Sequence, residues 1–211
     1  MPKMGRSLQN PTKNMLFNQD KIILDLCGGT GAWSKDYKEA GYDVRVITFP
    51  PDDVRLFEKP KEHVYGILAA PPCNHFSVSG AQYWKEKDDD GRTLDGISIM
   101  DSCIRIIFVC DPVFWCLENP VGRMKYYLGN PVMSFNPCDY GDAYTKKTLL
   151  WGKFNKPKTN YIEPVSNSNQ ENLISTPVLN GKKVGWNTPE CKMLRSITPP
   201  GFARAFFEAN P

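Results

Sequence analysis

A chain of 211 residues, 41% hydrophobic and 23% charged, has the length for one domain with an ordinary core, so neither a second domain nor a disulfide-stapled mini-fold is expected. Its net charge of +3 permits contact with phosphates but does not amount to the strong basic patch of a dedicated nucleic-acid binder. Seven cysteines without a Cys-x-x-Cys pair argue against a disulfide framework and against a zinc module. A reducing cytoplasm fits that usage, and no metal is expected. Residues 1–18 hold no apolar signal core, and no later run reaches membrane-spanning length, since even residues 104–117 are broken by Arg105, Asp111 and Pro112. A soluble protein that makes no use of a membrane is the expectation.

Residues 1–20 are polar and carry Pro2 and Pro11, which reads as a surface arm. An apolar strand begins at Lys21 and runs through Asp25 into Cys27, Gly28, Gly29, Thr30 and Gly31, followed by a helix over about residues 33–40 starting near Trp33. Strand, glycine turn and helix together form the ligand-cradling device of doubly wound folds, because glycine admits close backbone approach and the helix start offers free N–H groups. Gly28, Gly29 and Gly31 are out of register with the GxGxxG dinucleotide fingerprint. An adenosyl ligand without a pyrophosphate suits the turn better, and the alternative is a tight turn with no ligand.

Gly41 stops the helix, and residues 43–48 form a second short strand. The acid that usually meets ribose hydroxyls at the end of such a strand is missing. The nearest carboxylates are Asp52 and Asp53, after Pro50-Pro51; Asp53 is the candidate for the adenine or ribose contact, and a turn-forming Asp beside proline is the other reading.

Residues 64–70 read as a buried strand stopped by Pro71 and Pro72, with Cys73 next. Paired prolines cannot continue the hydrogen-bond ladder, so they end the strand and hold the following side chain at its carboxyl edge, where open sheets bind ligands. Cys73 is then either one more small buried residue or a reactive thiol. The charged stretch that follows, residues 84–91, reads as a mobile polar loop. Residues 94–110 carry a helical apolar stripe at 97, 100, 104, 107 and 108, with Cys103 and Cys110 in the core. Residues 113–120 form another apolar strand, ending in Glu118 and Asn119 before Pro120. A carboxylate on an apolar strand is costly to bury unpaired, which favours a site at Glu118 over packing.

Three motifs, in order and spacing, carry a resemblance: Asp25-Leu26-Cys27-Gly28-Gly29-Thr30-Gly31, Pro71-Pro72-Cys73-Asn74-His75-Phe76-Ser77 and Glu118-Asn119-Pro120. With them the chain resembles the cytosine-5 DNA methyltransferases over residues 22–154 and again at residues 195–204. The resemblance implies an α/β fold of the Rossmann-like class I S-adenosylmethionine-dependent methyltransferase type, a mostly parallel sheet flanked by helices. It also implies a division into an arm (1–20), a cofactor-binding catalytic region (21–154), a reduced recognition or loop region (155–193) and a C-terminal motif completing the catalytic region (194–211). Its cofactor would be S-adenosylmethionine, held by Asp25, Cys27, Gly28, Gly29, Thr30, Gly31, Trp33, Asp53 and Pro71. Its substrate would be DNA, duplex or single-stranded, contacted by Pro72, Asn74, Ser77, Lys146 and Lys147. Cys73 would add to carbon 6 of cytosine, Glu118 would relieve charge near N3, and Asn119 would orient Glu118. The thiol pKa would fall, helped by Lys146 or Lys147.

Three departures accompany the resemblance. Family members carry a Gln and two Arg after a Tyr-Gly pair, whereas Tyr140-Gly141 is followed here by a stretch ending in Lys146 and Lys147. Lysine does not reproduce a planar arginine fork. A Gly-Asn-Val motif near the family's C-terminus has no counterpart. Residues 155–193 replace a sizeable recognition domain and read as loops with one hairpin, as in a small, phage-like relative acting in a host cytoplasm. That shortening leaves two other readings: the same chemistry on a free cytosine nucleotide or RNA, and a catalytically silent binding module.

Overall fold

The computed structural model describes residues 18–165, 178–179, 182–183 and 188–211. Most of the arm expected over residues 1–20 lies outside these. The first elements are β1 (Ile22–Leu26), α1 (Lys35–Glu39), β2 (Asp43–Ile47) and β3 (Val64–Ala69). Then come α2 (Trp84–Asp89), α3 (Arg92–Cys110), β4 (Phe114–Pro120), α4 (Lys125–Leu128), β5 (Met133–Phe135) and β6 (Thr148–Lys153). A small hairpin, β7 (Val178–Leu179) and β8 (Lys182–Lys183), precedes α5 (Pro189–Ser196) and α6 (Pro200–Ala209).

The six-stranded sheet has the order β2-β1-β3-β4-β6-β5. Its first strands pair in parallel, while β6 runs antiparallel to both β4 and β5. The expected α/β architecture, a mostly parallel sheet flanked by helices, is therefore present. Strand periodicity divides the core between two layers. Leu24, Leu26, Ile67, Ala69 and Leu117 point toward α3, meeting Met100, Cys103, Ile106, Ile107 and Cys110. Ile23, Leu68, Phe114, Cys116 and Leu150 point the other way, toward Trp33, Tyr37, Phe202 and Phe206. Burying each large apolar side chain contributes about 1.5–3 kcal/mol, so strands covered on both faces need almost no polar residues. The α3 stripe is rotated from the expected one: Cys103, Ile106 and Cys110 complete it, Ile97 and Ile104 flank it, and Phe108 is 83% exposed.

Residues 77–91 differ from the expected loop. Residues Val78–Tyr83 form a 3-10 helix and α2 follows it directly. The charges that suggested a solvated loop are used for local pairing: Lys85 with Asp89, Arg92 with Glu86 and Asp90, and Asp88 with Arg123 and Thr93. Within residues 155–193 the structure contains the expected hairpin and, beyond expectation, the start of α5; residues 166–177, 180–181 and 184–187 fall outside the described part.

The C-terminal helix closes the second layer. Phe202 stacks on Phe135 with ring centroids 3.9 Å apart, and both it and Phe206 pack against Trp33. Tyr37 Oη donates to the Asn210 carbonyl at 2.8 Å, and Asn155 N–H donates to Asn210 Oδ1 at 2.7 Å. The end of the chain is thereby fastened beside the glycine turn.

Candidate active site

The carboxyl ends of β1, β3 and β4 meet at one cavity of about 1100 Å³, just above the usual size range of ligand pockets. Each tip reaches it by a different local device. After β1, the chain turns with positive φ at Cys27 (57°), Gly29 (56°) and Gly31 (70°), and Gly31 N–H closes the turn on the Gly28 carbonyl at 2.9 Å. A Cβ on Gly28 would lie 2.4 Å from the Asp25 carboxyl carbon, so the turn and this carboxylate are packed without spare room. A Cβ on Gly29 would meet nothing within 4 Å.

Asp25 is fully buried, and its Oδ2 accepts from Ser34 Oγ at 2.6 Å while Oδ1 has no partner. Burial pushes its pKa up to about 6, and the Ser34 hydrogen bond moderates the rise. Cys27 is drawn below the ordinary thiol range, chiefly by a hydrogen bond with Cys103 of α3.

After β3, Pro71 and Pro72 lead into a 3-10 turn over Cys73–His75, with Phe76 and Ser77 N–H groups donating to the Cys73 carbonyl at 3.0 and 2.8 Å. Cys73 keeps contact with water at the cavity mouth, but it sits within the cavity walls with protein crowded around its thiol. The neighbouring strand brings Glu118, half-buried, to the same opening. Asn119 is 1% exposed and faces away from the cavity, donating from Nδ2 to the Pro71 carbonyl at 2.9 Å. It braces the proline turn. Because β6 is antiparallel, its start carries Lys146 and Lys147 to this edge, and Lys146 Nζ donates to the Arg195 carbonyl at 2.8 Å.

The electrostatics differ from the expected fall in the thiol pKa. Burial pushes Cys73 up, the Glu118 charge adds to the rise, and Lys146 and Arg195 oppose it. Burial also raises Glu118, with Lys146 moderating the shift. Removing two ionisable groups from water disfavours both charged forms, and their proximity makes simultaneous ionisation worse.

Of the residues expected to form the site, the cavity is lined by Asp25, Cys27, Gly28, Gly29, Thr30, Trp33, Pro71, Pro72, Cys73, Asn74, Ser77, Glu118, Lys146 and Lys147. Gly31 shapes the turn and does not line the cavity. Asp53 also lies outside the lining: it caps the turn at Val54–Leu56 and pairs with Arg55, which reaches on to Asp95. The turn-forming alternative is the one realised there. Thr145, Arg195, Ser196 and Thr198 are among the further lining residues that the sequence reading does not single out as site residues. The C-terminal motif at residues 195–204 was the signal that could have found the last three.

A ligand bearing hydrogen-bond donors fits the floor of the cavity: Asp25 Oδ1 has no protein partner, and open space lies over Gly29. Among the described residues, no group of His, Cys, Asp and Glu could hold a metal ion, and no helix is long and apolar enough to cross a membrane.

No protein-family model matches the chain. It is similar to the type II methyltransferase M.DdeI of Desulfomicrobium norvegicum (strain DSM 1741 / NCIMB 8310), with 22% identity over 218 residues, covering 77% of this chain and 50% of that protein. Among solved structures it is similar to a candidate DNA modification methyltransferase encoded within an E. coli prophage. That likeness has a TM-score of 0.45 and 20% identity, covering 69% of this chain and 53% of the other. The chain thus spans about half the length of these relatives, one named a type II methyltransferase and the other a DNA modification methyltransferase.

Proposed function

We propose that this protein is an S-adenosylmethionine-dependent DNA methyltransferase that forms 5-methylcytosine through a covalent cysteine adduct. The observation that carries this reading is that Cys73 and Glu118, from adjacent strand tips, share one cavity with the glycine turn. When bound, S-adenosylmethionine supplies an electrophilic methyl group. Asp25, Cys27, Gly28, Gly29, Thr30, Trp33 and Pro71 are the residues that would hold it.

The chain's own groups have distinct tasks. Carbon 5 of cytosine is a weak nucleophile, so Cys73 thiolate adds at carbon 6 and moves an electron pair toward carbon 5. Glu118, whose pKa is raised by burial, takes up a proton more readily than an exposed carboxylate and is placed to pass it to N3 while accepting from the exocyclic amine. Lys146 holds positive charge beside both groups and limits the cost of ionising either. Once carbon 5 is methylated, its proton passes to water at the cavity mouth, the electron pair left behind restores the ring double bond and expels Cys73 as thiolate, and N3 returns its proton to Glu118. Asn119 fixes the proline turn from behind. A duplex substrate has to flip the cytosine into the cavity.

In this reading residues 21–154 and 194–211 form the catalytic unit, residues 155–193 serve recognition, and the protein works in a cytoplasm, that of a host if phage-encoded. The free cysteines among the described residues suit that compartment. The test is transfer of radiolabelled methyl to duplex DNA, single-stranded DNA, RNA and cytosine nucleotides, with Cys73→Ser alongside. Label in DNA as 5-methylcytosine, abolished in the variant, is expected. Label confined to nucleotides or RNA moves the substrate and keeps the chemistry; normal transfer by Cys73→Ser overturns the nucleophile.

A further inference from the structure

Arg123 makes three side-chain hydrogen bonds beside the site, and the chemistry above gives it no task. It follows Glu118 by five positions, is almost wholly buried, and its guanidinium is divided among three elements. Nε donates to the His75 carbonyl at 2.8 Å, inside the turn that carries Cys73. One terminal nitrogen pairs with Asp88 of α2 at 2.9 Å, and the other donates to Thr93 Oγ1 of α3 at 2.7 Å. Thr93 in turn donates to Asp88 at 2.6 Å, and the Trp84 ring lies 5.0 Å from the guanidinium carbon. The backbone reinforces this link: Arg123 N–H donates to the Phe76 carbonyl at 2.8 Å, and Val78 N–H to the Val121 carbonyl at 2.9 Å. On the outer side, Lys87 Nζ donates to the Asn74 carbonyl at 2.6 Å.

We infer that Arg123 is a positioning residue for the Cys73 turn, and that α2 is held over that turn through it. Three observations support this. A buried guanidinium with fixed fork geometry bonds three directions at once, which a flexible ammonium does not do. Its partners belong to the nucleophile turn and to the charged segment above it, so rotation of either breaks a charge-assisted bond. The same strand that presents Glu118 continues directly into Arg123, so the acid and the thiol are set by one stretch of backbone, with Asn119 gripping Pro71 at its near end. The distance between the two reacting groups is thereby fixed at both ends of the turn.

This inference rests on the proposed function only for its effect on turnover; its effect on the thiol does not depend on it. The variants are Arg123→Lys, which keeps charge and loses the fork, and Asp88→Asn, which removes the charge of the half-exposed carboxylate that both Arg123 and Thr93 bond and so weakens the link to α2. Cys73 alkylation by iodoacetamide, located by mass spectrometry well below each variant's melting temperature, reads the turn directly. Both variants are expected to react several-fold faster than wild type, because the turn loses its fixed orientation. Methyl transfer by Arg123→Lys should fall roughly 10- to 100-fold in kcat, with KM for the methyl donor unchanged. Wild-type alkylation rates in both variants overturn the inference, as does a fall in activity that appears only as a raised KM for the donor. Faster alkylation beside a wild-type protein that labels no acceptor leaves the clamp standing and removes the methyltransferase reading instead.

Discussion

Replacing Gly122 with alanine tests how tightly the nucleophile turn is held. A Cβ there would lie 1.9 Å from the Phe76 carbonyl oxygen and 2.9 Å from Ser77 Cα, both backbone atoms. An ordinary carbon–oxygen contact is about 3.3 Å, so the two segments must separate by roughly 1.4 Å. That separation breaks or stretches the Arg123 N–H to Phe76 and Val78 N–H to Val121 hydrogen bonds. Overpacking strain of about 1–3 kcal/mol and about 1 kcal/mol per hydrogen bond give a loss of roughly 3–5 kcal/mol. For a chain of this size the melting temperature should fall by roughly 6–20 °C. Phe76 is bonded to the Cys73 carbonyl at 3.0 Å, so the thiol moves with it, and a 1 Å misplacement costs on the order of 100-fold in kcat. Thermal melts and single-turnover methyl transfer measure the two losses separately. A Gly122→Ala protein that melts within about 2 °C of wild type refutes the packing argument.

The charges around Cys73 give opposite predictions for its thiol. Glu118→Gln removes a neighbouring negative charge and should lower the thiol pKa, so alkylation quickens at pH 8 while methyl transfer is lost; Lys146→Met should slow alkylation at the same pH. Asp25 makes stability depend on pH in a defined window. Its folded pKa of about 6 lies above the ordinary 3.8, so the folded protein binds the proton more tightly. Stability therefore declines as pH rises from about 4 to about 6, by about 3 kcal/mol, and denaturant melts of Asp25→Asn should lose that slope. Phe202→Ala removes the ring stacked on Phe135 and packed against Trp33, and should cost about 3–5 kcal/mol in urea unfolding.

The sheet was legible because its strands are covered on both faces. Ile22–Leu26 and Phe114–Pro120 read as apolar runs broken only by Asp25 and by the Glu118-Asn119 tip, and the prolines after Ala70 mark a strand end. The cavity's near wall was legible for the same reason, since glycines and prolines act through the local backbone. What escaped depends on partners distant in sequence. The charged stretch at residues 84–91 forms a helix that is tied to the rest of the fold by Asp88, which meets Arg123 35 positions away. Asp53 leaves the cavity because Arg55 is close enough to take it, a choice between two local options that no pattern distinguishes. The wall at Arg195, Ser196 and Thr198 depends on the C-terminal helix packing back onto Trp33, which is visible only once the chain has folded. The thiol's upward shift escaped for a further reason: burial of the group outweighs the lysine nearby, and the amount of burial is a three-dimensional quantity.

The reversed strand β6 has a consequence for how this site can be changed. Parallel strands deliver to the reactive edge the residues that follow them, and those residues here are already committed to the glycine turn, the proline turn and the Glu118 tip. β6 delivers the residues that precede it, pairing Thr148 with Pro120 and Leu150 with Glu118. The segment from Tyr140 to Lys147 is therefore a separate port into the pocket, anchored by the strand behind it, by the Asn136–Asp139 capping box ahead of it and by Asp142, whose carboxylate accepts from Gly201 N–H at 2.9 Å. Thr145, Lys146 and Lys147 line the pocket outside the β6 ladder. Exchanging Thr145 and Lys147 alone would alter what the pocket accepts while Lys146 goes on serving Cys73 and Glu118.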